Sequence, residues 1–171
     1  FPSPPAPLPQ GERGERTIGT VEWKLANLVD LAGIPDASFD SAACLFSTLG
    51  MVRGGENRAA ALASVCRVLK PGGTFVLHAH NRFFRGLGWK TVLGQRWQTL
   101  CGSPTAGDVT RPQAYGGAPL TLHHFTRGEL VGLLDAAGFR VRELVAVGEA
   151  GDTGVSLRRS YGFLAAATRG G

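Results

Sequence analysis

The chain has 171 residues, of which 43% are hydrophobic and 18% are charged, so it is long and apolar enough for one domain with a single core and is not typical of a disordered protein. The net charge of +5 comes from 18 basic and 13 acidic residues; it is compatible with nucleic acid, but no Lys/Arg-rich run supports such a partner. The three cysteines form no CxxC pair, which argues against a disulfide framework or a zinc knuckle, so we expect a cytoplasmic protein. No apolar run reaches membrane-spanning length, so we expect no membrane partner.

The start of the chain differs in composition from the rest. FPSPPAPLPQ contains five prolines in ten residues, and GERGER follows it without apolar periodicity. A segment of this kind does not bury enough apolar surface to offset the entropy of ordering it. We therefore predict a disordered proline-rich tail over residues 1–19 and a folded domain over residues 20–171.

The first half of the folded part alternates apolar runs with glycine-bearing loops. Apolar residues at helical spacing after Glu56 form one stripe, and Glu56 and Lys70 have the signs that suit the two ends of a helix dipole. The predicted elements are a strand over Val21–Leu28, a strand over Phe39–Phe46, a loop over Ser47–Gly55 and a helix over Glu56–Lys70.

The segment RVLKPGGTFVL, from Arg67 to Leu77, combines three signals. Pro71 ends the preceding helix, and Gly72 and Gly73 provide the permissive dihedrals of a tight turn. The residues that follow, over 74–79, are nearly all apolar, which is typical of a central parallel strand covered on both faces.

The second half predicts two helices and two final strands. Thr126 and Glu129 have the spacing of a helix-capping box, and Gly138 ends that helix. The predicted elements are a helix over Leu87–Leu100 with its large apolar residues on one side, a long loop over Gly102–Gly117, a short extended segment over Leu120–His124, the capped helix, and strands over Phe139–Val147 and Tyr161–Thr168. This order predicts an α/β fold with a mostly parallel sheet flanked by helices.

Ligands in open α/β sheets bind beyond the carboxyl ends of the strands. In this sequence the ends of the first three predicted strands carry small hydroxyls, imidazoles and an amide that suit the lining of a pocket. They are Asn27 and Leu28, then Phe46, Ser47 and Thr48, then His78, His80, Asn81 and Arg82.

Several motifs in a fixed order resemble one enzyme family. IPDASFDSAACLFSTLG, then RVLKPGG, then LDAAGFRV look like consecutive segments of class I S-adenosylmethionine-dependent methyltransferases, and the resemblance extends from about Ala26 to Ala167. It implies a Rossmann-like, mostly parallel sheet with flanking helices and an antiparallel last strand, with about five strands in this chain. It also implies S-adenosylmethionine as the cofactor.

The sequence departs from that family in its first part. The family has a GxGxG turn after its first strand and an acidic residue after its second, whereas Gly11 and Gly14 of this chain lie in the polar tail. We therefore expect an N-terminally truncated, partial methyltransferase domain. Two functions stay open: methyl transfer to an unidentified acceptor, or a catalytically inactive remnant unable to bind the cofactor.

The resemblance also implies cofactor-binding residues. Asn27 aligns with the residue that hydrogen-bonds the adenine amine, with Leu28 beside it, and Phe46 and Ser47 align with residues that contact the methionine part and the transferred methyl. A strand-end cap is the alternative for Asn27, and a core position is the alternative for Phe46.

The histidines require a separate interpretation. His78 and His80 share one face of a strand, but with His123 and His124 they have no acidic partner at ligand spacing, so we predict no metal site. We expect His80 and Asn81 to line the acceptor pocket, where a neutral imidazole accepts the acceptor's proton. Tyr161 is either a rim residue of that pocket or a core aromatic. A metal-binding or nucleic-acid-binding module is the third functional alternative.

Overall fold

The structure, a computed structural model, describes residues 19–114 and 118–171. The predicted tail over residues 1–19 therefore lies outside the described residues, apart from Gly19. The elements in chain order are β1 (Phe39–Cys44), α1 (Thr48–Met51), α2 (Gly55–Val68), β2 (Leu69–His80), a 3-10 turn (Arg85–Leu87), α3 (Trp89–Leu100), β3 (Asp108–Ala114), β4 (Ala118–His123), α4 (Arg127–Ala136), β5 (Phe139–Val147) and β6 (Gly162–Arg169).

The main sheet has four strands in the order β1-β2-β6-β5. β1 and β2 pair in parallel, and β6 runs antiparallel to both of its neighbours, β2 and β5. Three strands therefore share one direction and the last strand of the chain opposes them, which confirms the predicted α/β fold. Within the described residues, β3 and β4 form a separate two-stranded sheet.

The core lies between the sheet and the helices α2 and α4. Leu62 of α2 and Leu130 of α4 are almost completely buried, as are Phe75 and Leu77 of β2. The ring of Phe75 stacks on that of Phe139, with a centroid distance of 5.1 Å. One face of β2 is thus buried, whereas Val76, His78 and His80 on its other face are half-buried, so the expected cover on both faces is complete on one face only.

The glycine turn of RVLKPGGTFVL lies inside an irregular stretch at the start of β2. The pairing register jumps from Phe39 opposite Leu69 to Ser41 opposite Thr74. A Cβ at Gly73 would lie 2.8 Å from the carbonyl oxygen of Lys70, so the turn accepts no larger residue at that position.

The strand predicted over Val21–Leu28 does not form. The structure gives this segment no strand, and the side chains of Val21, Trp23 and Leu25 are 78%, 92% and 104% exposed. Alternating β-branched and aromatic residues favour a strand only where another strand pairs with them. β1 is the edge strand on this side of the described sheet, and this segment does not pair with it.

A loop held by one arginine follows that segment. The guanidinium of Arg67, on α2, donates to the carbonyl oxygens of Asp30 at 3.1 Å and Ile34 at 2.9 Å, and it forms an ion pair with Asp36. The loop is thereby fixed against the end of α2, and Leu28 packs against the core. No local pattern in the sequence predicts these contacts.

Two further expectations for loops were wrong in part. The long loop predicted over Gly102–Gly117 contains β3, which pairs with β4, and the loop predicted over Ser47–Gly55 contains the short helix α1. β3 has little apolar periodicity, whereas its partner β4 overlaps the extended segment predicted over Leu120–His124, so only one strand of the hairpin gave a signal in the sequence.

The helix predicted over Leu87–Leu100 forms as α3, but its apolar side faces solvent. Its large apolar side chains are mostly exposed: Trp89 is 72%, Leu93 60%, Trp97 69% and Leu100 82% exposed. Within the described part of the chain, no helix combines the length and the apolar character needed to cross a membrane.

Candidate functional site

A hydrogen bond joins the carboxyl ends of the two parallel strands. Ser47 follows β1 and is completely buried, and its hydroxyl accepts a hydrogen bond from the backbone N–H of His80 at 3.1 Å. A residue predicted to bind the cofactor and a residue predicted to bind the acceptor are thus in direct contact.

The chain leaves β1 through two residues in the left-handed region of backbone space. Phe46 has φ +56° and Ser47 has φ +58°, which is uncommon for residues other than glycine. This turn buries Ser47 and leaves the ring of Phe46 85% exposed. Phe46 is therefore not a core residue, and its ring is accessible at the carboxyl end of β1.

Aromatic and imidazole rings form a cluster at the carboxyl end of β2. The ring centroid of His80 lies 4.6 Å from that of Tyr161, 5.2 Å from that of His124 and 5.5 Å from that of His78. Phe84 meets Tyr161 edge-on at 5.5 Å. Burial lowers the pKa of His78, which favours its neutral form. The structure thus brings together His80 and Tyr161, both predicted to bind the acceptor.

Asn81 lies in this region, but its carboxamide is bonded to the protein backbone. Its Nδ2 donates to the carbonyl oxygens of Leu157 at 2.7 Å and Ser160 at 2.9 Å, and its Oδ1 accepts from the N–H of Phe83 at 3.1 Å. The side chain is buried. Asn81 thereby fixes the segment before β6 onto the turn after β2.

Asn27 and Leu28 lie on the α2 side of the domain. The Oδ1 of Asn27 accepts a hydrogen bond from the N–H of Val29 at 3.1 Å, and the hydroxyl of Ser64 on α2 donates to the carbonyl oxygen of Val29 at 2.8 Å. Asn27 is exposed and forms a local turn of the kind expected for a cap. Among the described contacts, none joins it to Phe46 or Ser47.

A polar cluster that the sequence analysis missed lies beside this edge. The two ring nitrogens of His123 lie 2.8 Å from Oδ1 of Asp108 and 2.8 Å from Oε1 of Glu129. The ring is 3% exposed. Ionised carboxylates only accept hydrogen bonds, so both contacts form when both ring nitrogens carry hydrogen.

Arg82 completes this cluster, which we call the clasp (Arg82, Asp108, His123 and Glu129). Its guanidinium pairs with Glu129 and donates through Nε to the carbonyl oxygen of His124 at 3.1 Å. Burial raises the pKa of Glu129, but the hydrogen bond and charge of His123 and the charge of Arg82 outweigh it and hold that pKa below its usual value. The clasp connects the turn after β2, the hairpin and α4.

The clasp could not be found from spacing because its members are distant in the chain. One partial signal existed, since Glu129 was identified as the capping-box acid of α4, and the box forms: Glu129 accepts from the N–H of Thr126 and donates its own N–H to the Thr126 hydroxyl. In the described part of the chain, no group of three or more His, Cys, Asp or Glu side chains is arranged to hold a metal ion.

The fold is that of a Rossmann-like α/β protein, and the candidate site lies at the carboxyl ends of β1 and β2, where open α/β sheets generally bind ligands. Residues 7–77 match the sequence model of a family described as a methyltransferase domain. No curated protein sequence matches the chain.

Solved methyltransferase structures have a similar fold. A SAM-dependent methyltransferase from Methanosarcina mazei aligns with 91% of this chain and 70% of its own length, at 25% identity and a TM-score of 0.68. One from Clostridium acetobutylicum aligns over 86% of this chain and 64% of its own, at 10% identity and a TM-score of 0.58. One from Mesorhizobium loti aligns over 84% and 67%, at 22% identity and a TM-score of 0.54. Residues 7–77 thus resemble a methyltransferase domain in sequence, and the chain has the fold of S-adenosylmethionine-dependent methyltransferases.

Proposed function

We propose that this chain binds S-adenosylmethionine and takes part in methyl transfer to an acceptor held at the carboxyl ends of β1 and β2. The observation that carries the proposal is the hydrogen bond from the backbone N–H of His80 to the hydroxyl of Ser47. It connects the loop assigned to the cofactor with the strand end assigned to the acceptor. Methyl transfer requires these two ligands side by side.

The residues assigned to the cofactor fit that role unequally. The ring of Phe46 is exposed at the edge of the sheet and is accessible for stacking, and the carboxamide of Asn27 is exposed. The Ser47 hydroxyl is buried and already accepts a hydrogen bond, so Ser47 supports the loop and Phe46 makes the contact. When bound, S-adenosylmethionine supplies an electrophilic methyl group on a sulfonium.

The residues assigned to the acceptor form the ring cluster of His80, Tyr161 and Phe84. We assign His80 the removal of the acceptor's proton at a ring nitrogen, which requires the neutral imidazole. Partial burial lowers the pKa of the neighbouring His78, which favours its neutral form. Tyr161 packs against the His80 ring, Phe84 packs edge-on against Tyr161, and Asn81 holds the segment that carries Tyr161.

Calorimetric titration of the 171-residue chain with S-adenosylmethionine tests the cofactor part of the proposal. We expect a dissociation constant below 1 mM for the unchanged chain, roughly the weakest affinity that such a titration measures. Phe46→Ala should weaken it about tenfold, because a lost stacking contact is worth about 1.4 kcal/mol. Trp97→Ala, which removes an exposed aromatic ring from α3, is the matched control and should leave binding unchanged. No binding up to 1 mM would support the inactive-remnant alternative.

A further inference from the structure

A cleft of about 510 Å³ lies between the turn after β2, the helix α3 and the segment before β6. Its volume lies within the range of small-molecule sites, roughly 300–1,000 Å³. Its walls combine apolar rings and chains with three arginines: Phe83, Trp89, Leu93, Arg85, Arg96 and Arg158.

The charge of this cleft is one-sided. No acidic residue lines it, and within the described residues none of its three guanidinium groups forms an ion pair with a carboxylate. The adjoining cavity, which shares Arg85, also contains Glu149 and Asp152. Like charges around one cavity repel each other, and a bound anion relieves that repulsion.

The apolar wall of the cleft is largely exposed to solvent. Trp89 and Leu93 are 72% and 60% exposed. The guanidinium of Arg96 lies 5.7 Å from the ring centre of Phe83, a cation–π contact that keeps this arginine at the apolar wall. Cationic and apolar groups thus line the same cavity.

We propose that this cleft binds a small anionic molecule with an apolar body, namely a carboxylate or phosphate monoester attached to an aromatic or acyl group. Guanidinium groups bind both anions through paired hydrogen bonds. This inference deepens the proposed function, on which it rests, by naming the chemical class of the methyl acceptor.

The position of the cleft favours an acceptor. Phe83 lines the cleft while its neighbour Phe84 contacts Tyr161, so the cleft and the ring cluster lie on two sides of one turn. The backbone N–H of Arg85 donates to the carbonyl oxygen of Arg158 at 3.2 Å, and Asn81 fixes the carbonyl oxygen of Leu157. Arg85 and Arg158 are therefore carried on backbone that is anchored to the carboxyl end of β2, whereas Arg96 lies on α3.

Three naphthalene compounds test the proposal by fluorescence titration of the 171-residue chain without S-adenosylmethionine. 1-Naphthoate carries a carboxylate, 1-naphthyl phosphate carries a phosphate monoester, and 1-naphthamide is the uncharged analogue. We expect at least one anion to bind with a dissociation constant below 1 mM and at least tenfold more tightly than the amide. Equal binding of acid and amide, or no binding of either anion up to 1 mM, would overturn the proposal.

Arginine variants locate the site. Arg96→Gln and Arg158→Gln should each weaken the anion about tenfold, since a charge-assisted hydrogen bond is lost. Arg140→Gln, at the exposed start of β5 on the opposite edge of the sheet, should have no effect. An equal loss of anion binding in all three variants would overturn the proposal. It would also be overturned if a twelve-nucleotide RNA bound more tightly than the naphthalene anions, with a steep salt dependence, and lost its binding in Arg96→Gln and Arg158→Gln, because that result identifies a nucleic-acid surface.

The anion titration and the titration with S-adenosylmethionine test two separate proposals, and either proposal can fail without the other. If the anion binds and the cofactor does not, the cleft stands as an anion site and methyl transfer by this chain is excluded. If the cofactor binds and the anion does not, methyl transfer stands and the acceptor class proposed here is wrong.

Discussion

The imidazole of His123 is held between the carboxylates of Asp108 and Glu129, each 2.8 Å from one of its ring nitrogens. Asp108 begins β3 and Glu129 lies in the first turn of α4, so one buried ring connects the hairpin to the helix. Arg82 adds the end of β2 to the same cluster. The position of the hairpin therefore depends on the charges of the clasp side chains.

Glu129→Gln should destabilise the domain at neutral pH and have a smaller effect in acid. The pKa of Glu129 is lower in the folded protein than its ordinary value, so its stabilising contribution is fully present above the ordinary carboxyl pKa and is lost as the pH falls through the folded value. We expect the free energy of unfolding to fall by about 2 kcal/mol at pH 7, because Arg82 and His123 stay buried but no longer face a charged carboxylate.

Urea unfolding at several pH values between 3 and 7 measures this effect as the difference in the free energy of unfolding between the unchanged chain and the variant. Glu143→Gln, at an exposed position of β5, is the control and should give a small difference at every pH. A difference for Glu129→Gln that stays constant over this range would refute the role given to its charge.

Gly107→Ala should destabilise the domain through the same clasp. Gly107 has φ +103°, and a Cβ there would lie 2.6 Å from Nη2 of Arg82 and 2.6 Å from Cε1 of His123. Strain of the backbone and displacement of the clasp together should cost about 3 kcal/mol. Gly132→Ala is the matched control, since nothing lies within 4 Å of its Cβ, and removing a glycine from the interior of α4 should stabilise by about 1 kcal/mol. Equal effects of the two substitutions on urea unfolding would contradict this account.

The features that the sequence predicted correctly depend on neighbouring residues. The glycine turn before the central strand and the capping box of Thr126 and Glu129 each follow from a few adjacent positions. The clasp was missed because Arg82 and Glu129 are brought together only by folding. The strand predicted over Val21–Leu28 was wrong for a related reason: a suitable local pattern does not provide the partner that a strand needs.

The candidate site was predictable to a similar extent. Topology alone indicated that Ser47 and His80 lie at one edge, and they are in contact. The sequence did not reveal that Asn81 is bonded to two distant carbonyl oxygens, nor that the apolar side of α3 is exposed. The first depends on the path of the segment before β6, for which the sequence has no periodic signal, and the second depends on which elements pack against α3, which a local pattern does not specify.

The capping box of α4 is open to a conservative test. Thr126→Ala removes the hydroxyl that accepts the N–H of Glu129 at 3.1 Å and should cost about 1 kcal/mol in the free energy of unfolding. Thr126→Ser keeps the hydroxyl and should recover most of that loss. If serine and alanine were equally destabilising, the methyl group of Thr126 rather than its hydrogen bond would be responsible.

Asn81→Ala should release the segment before β6. The substitution leaves the carbonyl oxygens of Leu157 and Ser160 and the N–H of Phe83 without their side-chain partner, and we expect a loss of about 3 kcal/mol in the free energy of unfolding. Trypsin cleaves after arginine, so cleavage at Arg158 should become faster in the variant. The comparison is made in buffer in which most molecules of both chains remain folded. The control is Asn57→Ala, which removes one exposed hydrogen bond to the carbonyl oxygen of Arg53 and should change stability by less than about 0.5 kcal/mol. Unchanged cleavage at Arg158 in a destabilised Asn81→Ala chain would show that this segment is held by contacts other than the carboxamide.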